Sequence, residues 1–229
     1  MKSLNRKQIN GALAFHKNTE IELAKYVQEH ATQDDPESVI ATVDEFCWNN
    51  HWMMHVGDVK GKIVDDILKE VNPNIILELG TYCGYSAIRM ARFLKPGGKL
   101  YTIDPFPLET SKILINKSGF SDRIICLEGY ANEIIPTLLN LKNKIDVVFI
   151  DHEKKMYCPD LHTIEQNNLL HKNSTIIADN VIVFKINDYL DHVRKSGLYE
   201  SKNYLSTLEY QESNDQSFVD GIEVSKFIG

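Results

Sequence analysis

The run Asn74–Ser86, N-I-I-L-E-L-G-T-Y-C-G-Y-S, decides the fold. Ile75, Ile76 and Leu77 form a short apolar, largely β-branched run, which reads as a buried strand. Glu78 follows, then Gly80 and Gly84. Beyond Gly84, Ala87, Ile88, Met90, Ala91, Phe93 and Leu94 recur at helical spacing up to Pro96 and Gly97. Strand, glycine turn and helix make the first unit of a doubly wound α/β fold. Such folds hold ligands at the carboxyl ends of their strands, beside a topological switch point. The glycines let backbone approach a ligand, and the free N–H groups of the next helix can hold an anion. The plain structural alternative is a tight strand–helix turn that needs two glycines.

The glycine spacing bears on the cofactor. The dinucleotide fingerprint is G-x-G-x-x-G, but here Tyr82 takes the middle place and the last glycine is absent. The E-x-G-x-x-x-G form instead resembles the S-adenosylmethionine site of class I methyltransferases. A nicotinamide oxidoreductase is therefore the weakest enzyme reading.

The chain has 229 residues, 43% hydrophobic and 25% charged, which fits a globular protein of one domain with additions, or at most two. A net charge of −7 without a dense Lys/Arg cluster argues against nucleic-acid binding. No apolar run is long enough to cross a bilayer, and the polar start M-K-S-L-N-R-K-Q-I-N has no signal-peptide core. Cys47, Cys83, Cys126 and Cys158 form no C-x-x-C pair, so a reducing cytoplasm is the expected compartment.

Residues 1 to about 17 read as a mobile arm. A helix is expected from Thr19 to near His30, and a second one starts at Asp34 or Asp35 with Pro36 in its first turn. Trp48–His55 packs two Trp, two Met and two His into eight residues. That reads either as an active-site wall or as a helix–helix junction packed with large side chains. His51 and His55 have metal-pair spacing but no third ligand type nearby. Ile63–Val71 reads as a helix, Lys99–Ile103 as the second strand, Leu108–Lys117 as a helix and Arg123–Leu127 as the third strand. Further helices are expected at Ile134–Leu141, Pro159–Leu170 and Asn187–Lys195. Residues 199–210 and 218–228 read as a hairpin with a polar tip.

The strand ends carry the chemistry. Asp104 ends the second strand, 20 residues beyond Gly84, where an acid can accept both hydroxyls of a ribose. Gly129, Tyr130, Ala131 and Asn132 follow the third strand, at the expected adenine end. The fourth strand, Ile145–Ile150, runs into Asp151, and the fifth, Thr175–Ala178, into Asp179 and Asn180. Two carboxylates and an amide oxygen on neighbouring strand ends suit Mg²⁺, which takes hard oxygen ligands and keeps waters. Strand-end caps and turns are the alternative.

Five blocks in register carry a family resemblance: H-V-G-D-V-K-G-K-I-V-D, L-E-L-G-T-Y-C-G-Y-S-A-I-R-M-A-R, V-F-I-D-H-x-K, A-D-N-V-I and L-E-Y-Q-E. Together they closely resemble catechol O-methyltransferase, over roughly residues 35 to 229, with an insertion near Glu212 to Gln216. The resemblance implies a Rossmann-like α/β fold with helices on both faces of a seven-stranded, mostly parallel sheet whose last strand is antiparallel. It also implies S-adenosylmethionine, Mg²⁺ and methyl transfer to a catechol hydroxyl by a cytoplasmic protein without the family's membrane span. Residues 1–18 would be an arm and 19–229 a single domain, working as a monomer or weak homodimer with a small-molecule catechol or related phenol, and with no nucleic-acid or membrane partner.

Carried over by position, Asp151, Asp179 and Asn180 match the metal ligands, Lys154 the catalytic base, and Glu209 the acid holding the second substrate hydroxyl. Met54, His55, Val56, Glu78, Gly80, Tyr82, Ser86, Asp104, Pro105, Gly129, Ala131, Asn132, Asp151 and His152 match cofactor contacts. Trp52, Glu153, Phe184 and Leu208 fall at the substrate pocket. A lysine base needs a pKa brought down from ~10.4 towards neutrality. Glu153 stands where the family has a Trp and Phe184 where it has a proline. His55 replaces an asparagine. These departures point to an amine-bearing catechol or to a different phenolic acceptor. A non-catalytic binding protein of this fold would have no need to keep Asp151, Lys154, Asp179, Asn180 and Glu209 together.

Overall fold

The computed structural model describes residues 18–211 and 219–229. The expected arm over residues 1 to 17 and the polar hairpin tip from 212 to 218 lie outside the described residues. Seven strands form one sheet: β1 (Ile75–Leu79), β2 (Lys99–Asp104), β3 (Ile124–Glu128), β4 (Ile145–Ile150), β5 (Leu170–Ala178), β6 (Tyr199–Thr207) and β7 (Val219–Phe227). Their order is β3-β2-β1-β4-β5-β7-β6. β1 to β5 run parallel, and β7 lies antiparallel between β5 and β6.

Side chains alternate across the sheet with the period of two that a strand imposes. Ile76, Val147, Phe149 and Ile177 face one core, shared with helices α1 (Thr19–His30), α2 (Pro36–Asn49), α3 (Gly57–Val71), α4 (Tyr85–Ala91) and α5 (Glu109–Lys117). Leu77, Leu79, Val148, Ile150 and Ile176 face the other, under α6 (Ala131–Ile134), α7 (Tyr157–Gln166) and α8 (Asn187–Lys195). Burial on both faces explains why these strands read as continuous apolar runs.

Chain order reverses between β1 and β4, and the crevice opens there. Register pairs Leu79 with Ile103 and with Ile150, so three strand ends are level. Gly80 N–H donates to the Ile103 carbonyl at 2.9 Å, and Asp151 N–H to that of Leu79 at 3.0 Å. Gly80 has φ +102°, and a Cβ there would stand 2.7 Å from the Asp151 carbonyl oxygen. A glycine is required for the two strand ends to come this close.

Several boundaries differ from the sequence reading. α3 starts at Gly57 rather than near Ile63, because Val56 precedes it without a side-chain cap to announce the start. α4 ends at Ala91, and the chain then turns so that Lys95 N–H reaches the Pro73 carbonyl. The helix expected over Ile134–Leu141 breaks into α6 and two 3₁₀ turns, since Pro136 has no N–H to continue it. α7 stops at Gln166, four residues short of Leu170, and β5 starts there instead of at Thr175.

Candidate active site

A cavity of about 760 Å³ opens over the β1–β4 switch point. Trp52, Met54, His55, Gly80, Tyr82, Asp104, Pro105, Ala131, Asn132, Asp151, His152, Glu153, Lys154, Asn180, Phe184, Leu208 and Glu209 line it. These are most of the positions singled out from sequence. Val56, Glu78, Ser86, Gly129 and Asp179 stand behind the wall rather than on it. Sequence reading missed Ile103, Phe106, Glu133, Met156 and Asp160 as lining residues. Phe106 is exposed and packs edge-on against Tyr130 at 6.3 Å, outside any strand or helix pattern.

Asp104 fastens the glycine turn. Its Oδ2 accepts the N–H groups of Thr81 and Tyr82, each at 3.1 Å, and its Oδ1 accepts that of Phe106 at 2.8 Å. Carboxylate lone pairs remain for a further donor. Glu78 is fully buried, and neither of its oxygens has a hydrogen-bond partner among the described residues. Burial raises its pKa to about 8, with the nearby Ser86 and Thr102 hydroxyls pulling it down only in part. His55 is buried against the rings of Tyr82 and Tyr85, with Nε2 unpartnered, and burial pushes its pKa down to about 3. His51 turns instead to Glu22, 3.2 Å away, so the two histidines do not form a pair.

At the other end of the cavity, Lys154 Nζ donates to Asp151 Oδ1 at 2.7 Å, to the Tyr157 hydroxyl at 2.7 Å and to Asn180 Oδ1 at 3.1 Å. It also lies over the rings of Tyr157 and Phe184, at 5.0 and 5.5 Å. Tyr157 passes a hydrogen bond on to the Asp179 carbonyl at 3.1 Å. The lysine Nζ thus sits between two oxygens of the expected metal set. Asn180 has φ +58°, and its Nδ2 donates to Asp220 Oδ2 at 2.8 Å. That bond fixes the amide with its oxygen towards Lys154. Asp151 and Asn180 therefore offer hard oxygen donors at the cavity, of the kind Mg²⁺ takes, while the Asp179 carboxylate is buried behind them.

Behind them lies a lysine that sequence reading passed over. Lys60, on α3, is 1% exposed. Its Nζ lies 2.8 Å from Asp179 Oδ1, 2.9 Å from Asp220 Oδ2 and 3.1 Å from Glu209 Oε2, the last an ion-pair distance without hydrogen-bond alignment. Burial alone would lower the lysine's pKa, but Asp179, Glu209 and Asp220 outweigh it and hold the ammonium well above its usual range. Burial raises Asp179 to about 8 and raises Glu209, against the pull of Lys60. Three carboxylates face one ammonium, so a shared proton suits this cluster. Gly57 starts α3 at φ +72°, and a Cβ there would stand 2.6 Å from Glu209 Cβ. Trp52 Nε1 donates to the Glu209 carbonyl at 3.1 Å.

Fold and cavity define an α/β protein of the methyltransferase type. An O-methyltransferase from Bacillus cereus in complex with SAH shares the fold, with a TM-score of 0.69 at 20% identity over 90% of this chain and 97% of that one. The O-methyltransferase family profile matches residues 28–206, and the chain belongs to that family. It is 42% identical over 211 residues to catechol O-methyltransferase B of Danio rerio, covering 90% of this chain and 78% of that protein. To catechol O-methyltransferase of Mus musculus it is 41% identical over 214 residues, with the same coverage.

Removing one partner of a buried ion cluster strands the others, at about 3–5 kcal/mol. Lys60→Met is expected to lose stability of that order in urea unfolding; a loss below about 1 kcal/mol would contradict the burial argument.

Glu78 gives a pH test. Its folded pKa, about 8, lies above the ordinary 4.5. The unfolded chain therefore releases this proton first as pH rises. Stability from the protonated carboxyl is complete below about 4.5 and is lost as pH rises through about 8. At 1.36 kcal/mol per pKa unit, the window spans a few kcal/mol, on the order of 3–5. Glu78→Gln should flatten this slope, read as urea stability at pH 5 and 8.5 without ligand. Parallel slopes in the two proteins would refute it.

Proposed function

We propose that this chain, as one domain over residues 19–229, transfers the methyl group of S-adenosylmethionine to one hydroxyl of a catechol, with Mg²⁺ bound beside Lys154. The observation that carries the reading is the convergence of Asp151, Lys154, Asn180 and Glu209 on one end of a switch-point cavity. The ~40% identity to catechol O-methyltransferases supports it.

S-adenosylmethionine would supply an electrophilic methyl group, held between the Gly80 turn, Asp104 and the Ala131–Asn132 end. Mg²⁺, held by Asp151, Asp179 and Asn180, would lower the pKa of a chelated hydroxyl. The remaining work belongs to the chain. Lys154, arriving neutral, takes the proton from the reacting oxygen at Nζ. Asp151 and Tyr157, each 2.7 Å from Nζ, stabilise the ammonium that forms. Glu209 accepts a hydrogen bond from the second hydroxyl and so fixes the ring's rotation. Trp52, Met54, Leu208 and Phe184 keep the reacting oxygen in line and shed water from it. Glu153 is exposed and lines the cavity, where its carboxylate favours a catechol bearing an ammonium.

Mass spectrometry of products from S-adenosylmethionine and a catechol panel tests this. Methylation is expected with Mg²⁺, to vanish with EDTA, and to fall about 10²–10⁴-fold in Lys154→Ala, the usual worth of a general base. Turnover in EDTA, or a fall under tenfold in the variant, overturns the roles given to metal and lysine. For selectivity, Glu153→Trp should lower the ratio of dopamine to dihydroxybenzoate turnover. An unchanged ratio removes Glu153 from the account.

A further inference from the structure

Among the described residues, one group of three metal-ligating types lies within 4.8 Å: His162, Glu165 and His192. None of them lines the cavity. α7 and α8 both start from the cavity edge of the sheet and run back beneath it, and these residues fall in their later turns. The imidazoles meet edge-on at 4.4 Å between centroids.

The ring contacts fix which atoms face each other. His192 Nε2 lies 2.8 Å from Glu165 Oε1, and the same oxygen accepts the Tyr199 hydroxyl at 2.5 Å. A carboxylate only accepts, so the proton of neutral His192 resides on Nε2. Nδ1 is left with its lone pair towards His162, whose Nε2 is 3.4 Å away. That separation is long for a hydrogen bond, which ordinarily spans ~2.7–3.2 Å. It matches the edge of a tetrahedron whose corners lie ~2.0–2.1 Å from the centre, which is about 3.3–3.4 Å, the nitrogen spacing around Zn²⁺. A carboxylate on the far nitrogen is the usual outer support of a metal-bound histidine. Tyr199, on β6, in turn anchors that carboxylate. The side chains of His192 and Glu165 are 15% and 16% exposed, open enough for an ion to enter. Asp188, one turn before His192, adds negative charge: burial first, and then Asp188 and Glu165, raise the pKa of Cys158 on α7. The nearby cations Arg194 and Lys195 are paired to Glu223 and Asp191.

We propose that His162 Nε2 and His192 Nδ1 form a site for a borderline divalent ion of the Zn²⁺ class, completed by water, with Glu165 and Tyr199 orienting His192. The site is separate from the oxygen set at the cavity. Bound metal would tie α7 to α8, the helices that follow Asp151 and Asn180 respectively. It does not depend on the catechol reading.

The test uses the untagged, chelator-stripped chain, titrated with Zn²⁺ by calorimetry, with Co²⁺ absorption as a second readout. One Zn²⁺ per chain is expected, with affinity in the micromolar range or tighter. Binding should weaken at least tenfold in His162→Ala and in His192→Ala, persist in Asp151→Asn, and resist excess Mg²⁺. Circular dichroism of the metal-free variants, expected to match the wild type, separates lost ligands from lost fold; His162→Gln replaces any variant that fails this check. No saturable Zn²⁺ binding overturns the proposal. So does binding that survives both histidine changes, or that disappears in Asp151→Asn while both histidines remain.

Discussion

The Lys60 ammonium is the constraint on which the site depends. A fully buried lysine cannot stand without partners, and here each partner comes from a different part of the chain. Asp179 follows β5, Glu209 follows β6 and Asp220 lies on β7, while Lys60 is on α3. One charge therefore sets where three strand ends lie relative to the first face of helices. Through Asp220 it also sets the Asn180 amide, and through Asp179 the carbonyl that accepts from Tyr157. Lys154 thus receives its surroundings at second hand from a residue that never reaches the cavity.

The sheet makes that arrangement possible. Parallel strands deliver Gly80, Asp104, Asp151 and Asp179 to one edge, and the reversal between β1 and β4 leaves the crevice above them. The backbone then closes in: Gly80 against the Asp151 carbonyl, and Gly57 against Glu209. At both contacts any side chain larger than hydrogen would push apart two groups that the cavity needs together. The apolar wall and the charged end are consequently held by backbone packing as much as by side-chain bonds.

Much of this was legible before the structure. β1, β2 and β4 are short apolar runs ending in Gly or Asp, so their existence and their ends followed from pattern alone. The residues at those ends line the cavity as expected. Glu78 and Asp179 are the instructive departures: both stand at strand ends, yet both are buried behind the wall. Pattern shows that a residue ends a strand, not which way its side chain points. Lys60 and Asp220 were invisible for a related reason. A lysine in an amphipathic helix reads as solvated, and only the tertiary approach of three carboxylates makes it a core residue. The start of α3 was misplaced because no side-chain cap marks it at Val56, whereas the break in the helix expected over Ile134–Leu141 was signalled by Pro136 and passed over.

The place of β7 has a consequence for how a nascent chain matures. β5 stays open along one edge until residues 219–227 emerge from the ribosome and slot between it and β6. Until then Lys60 lacks Asp220, and the Asn180 amide nitrogen lacks the acceptor that turns its oxygen towards Lys154. The first five strands can assemble during translation, but the charged end of the cavity must wait for the last strand. A ribosome stalled before that point would carry a folded sheet with an unpaired edge, an immature cavity and a surface ready to pair with a neighbouring chain.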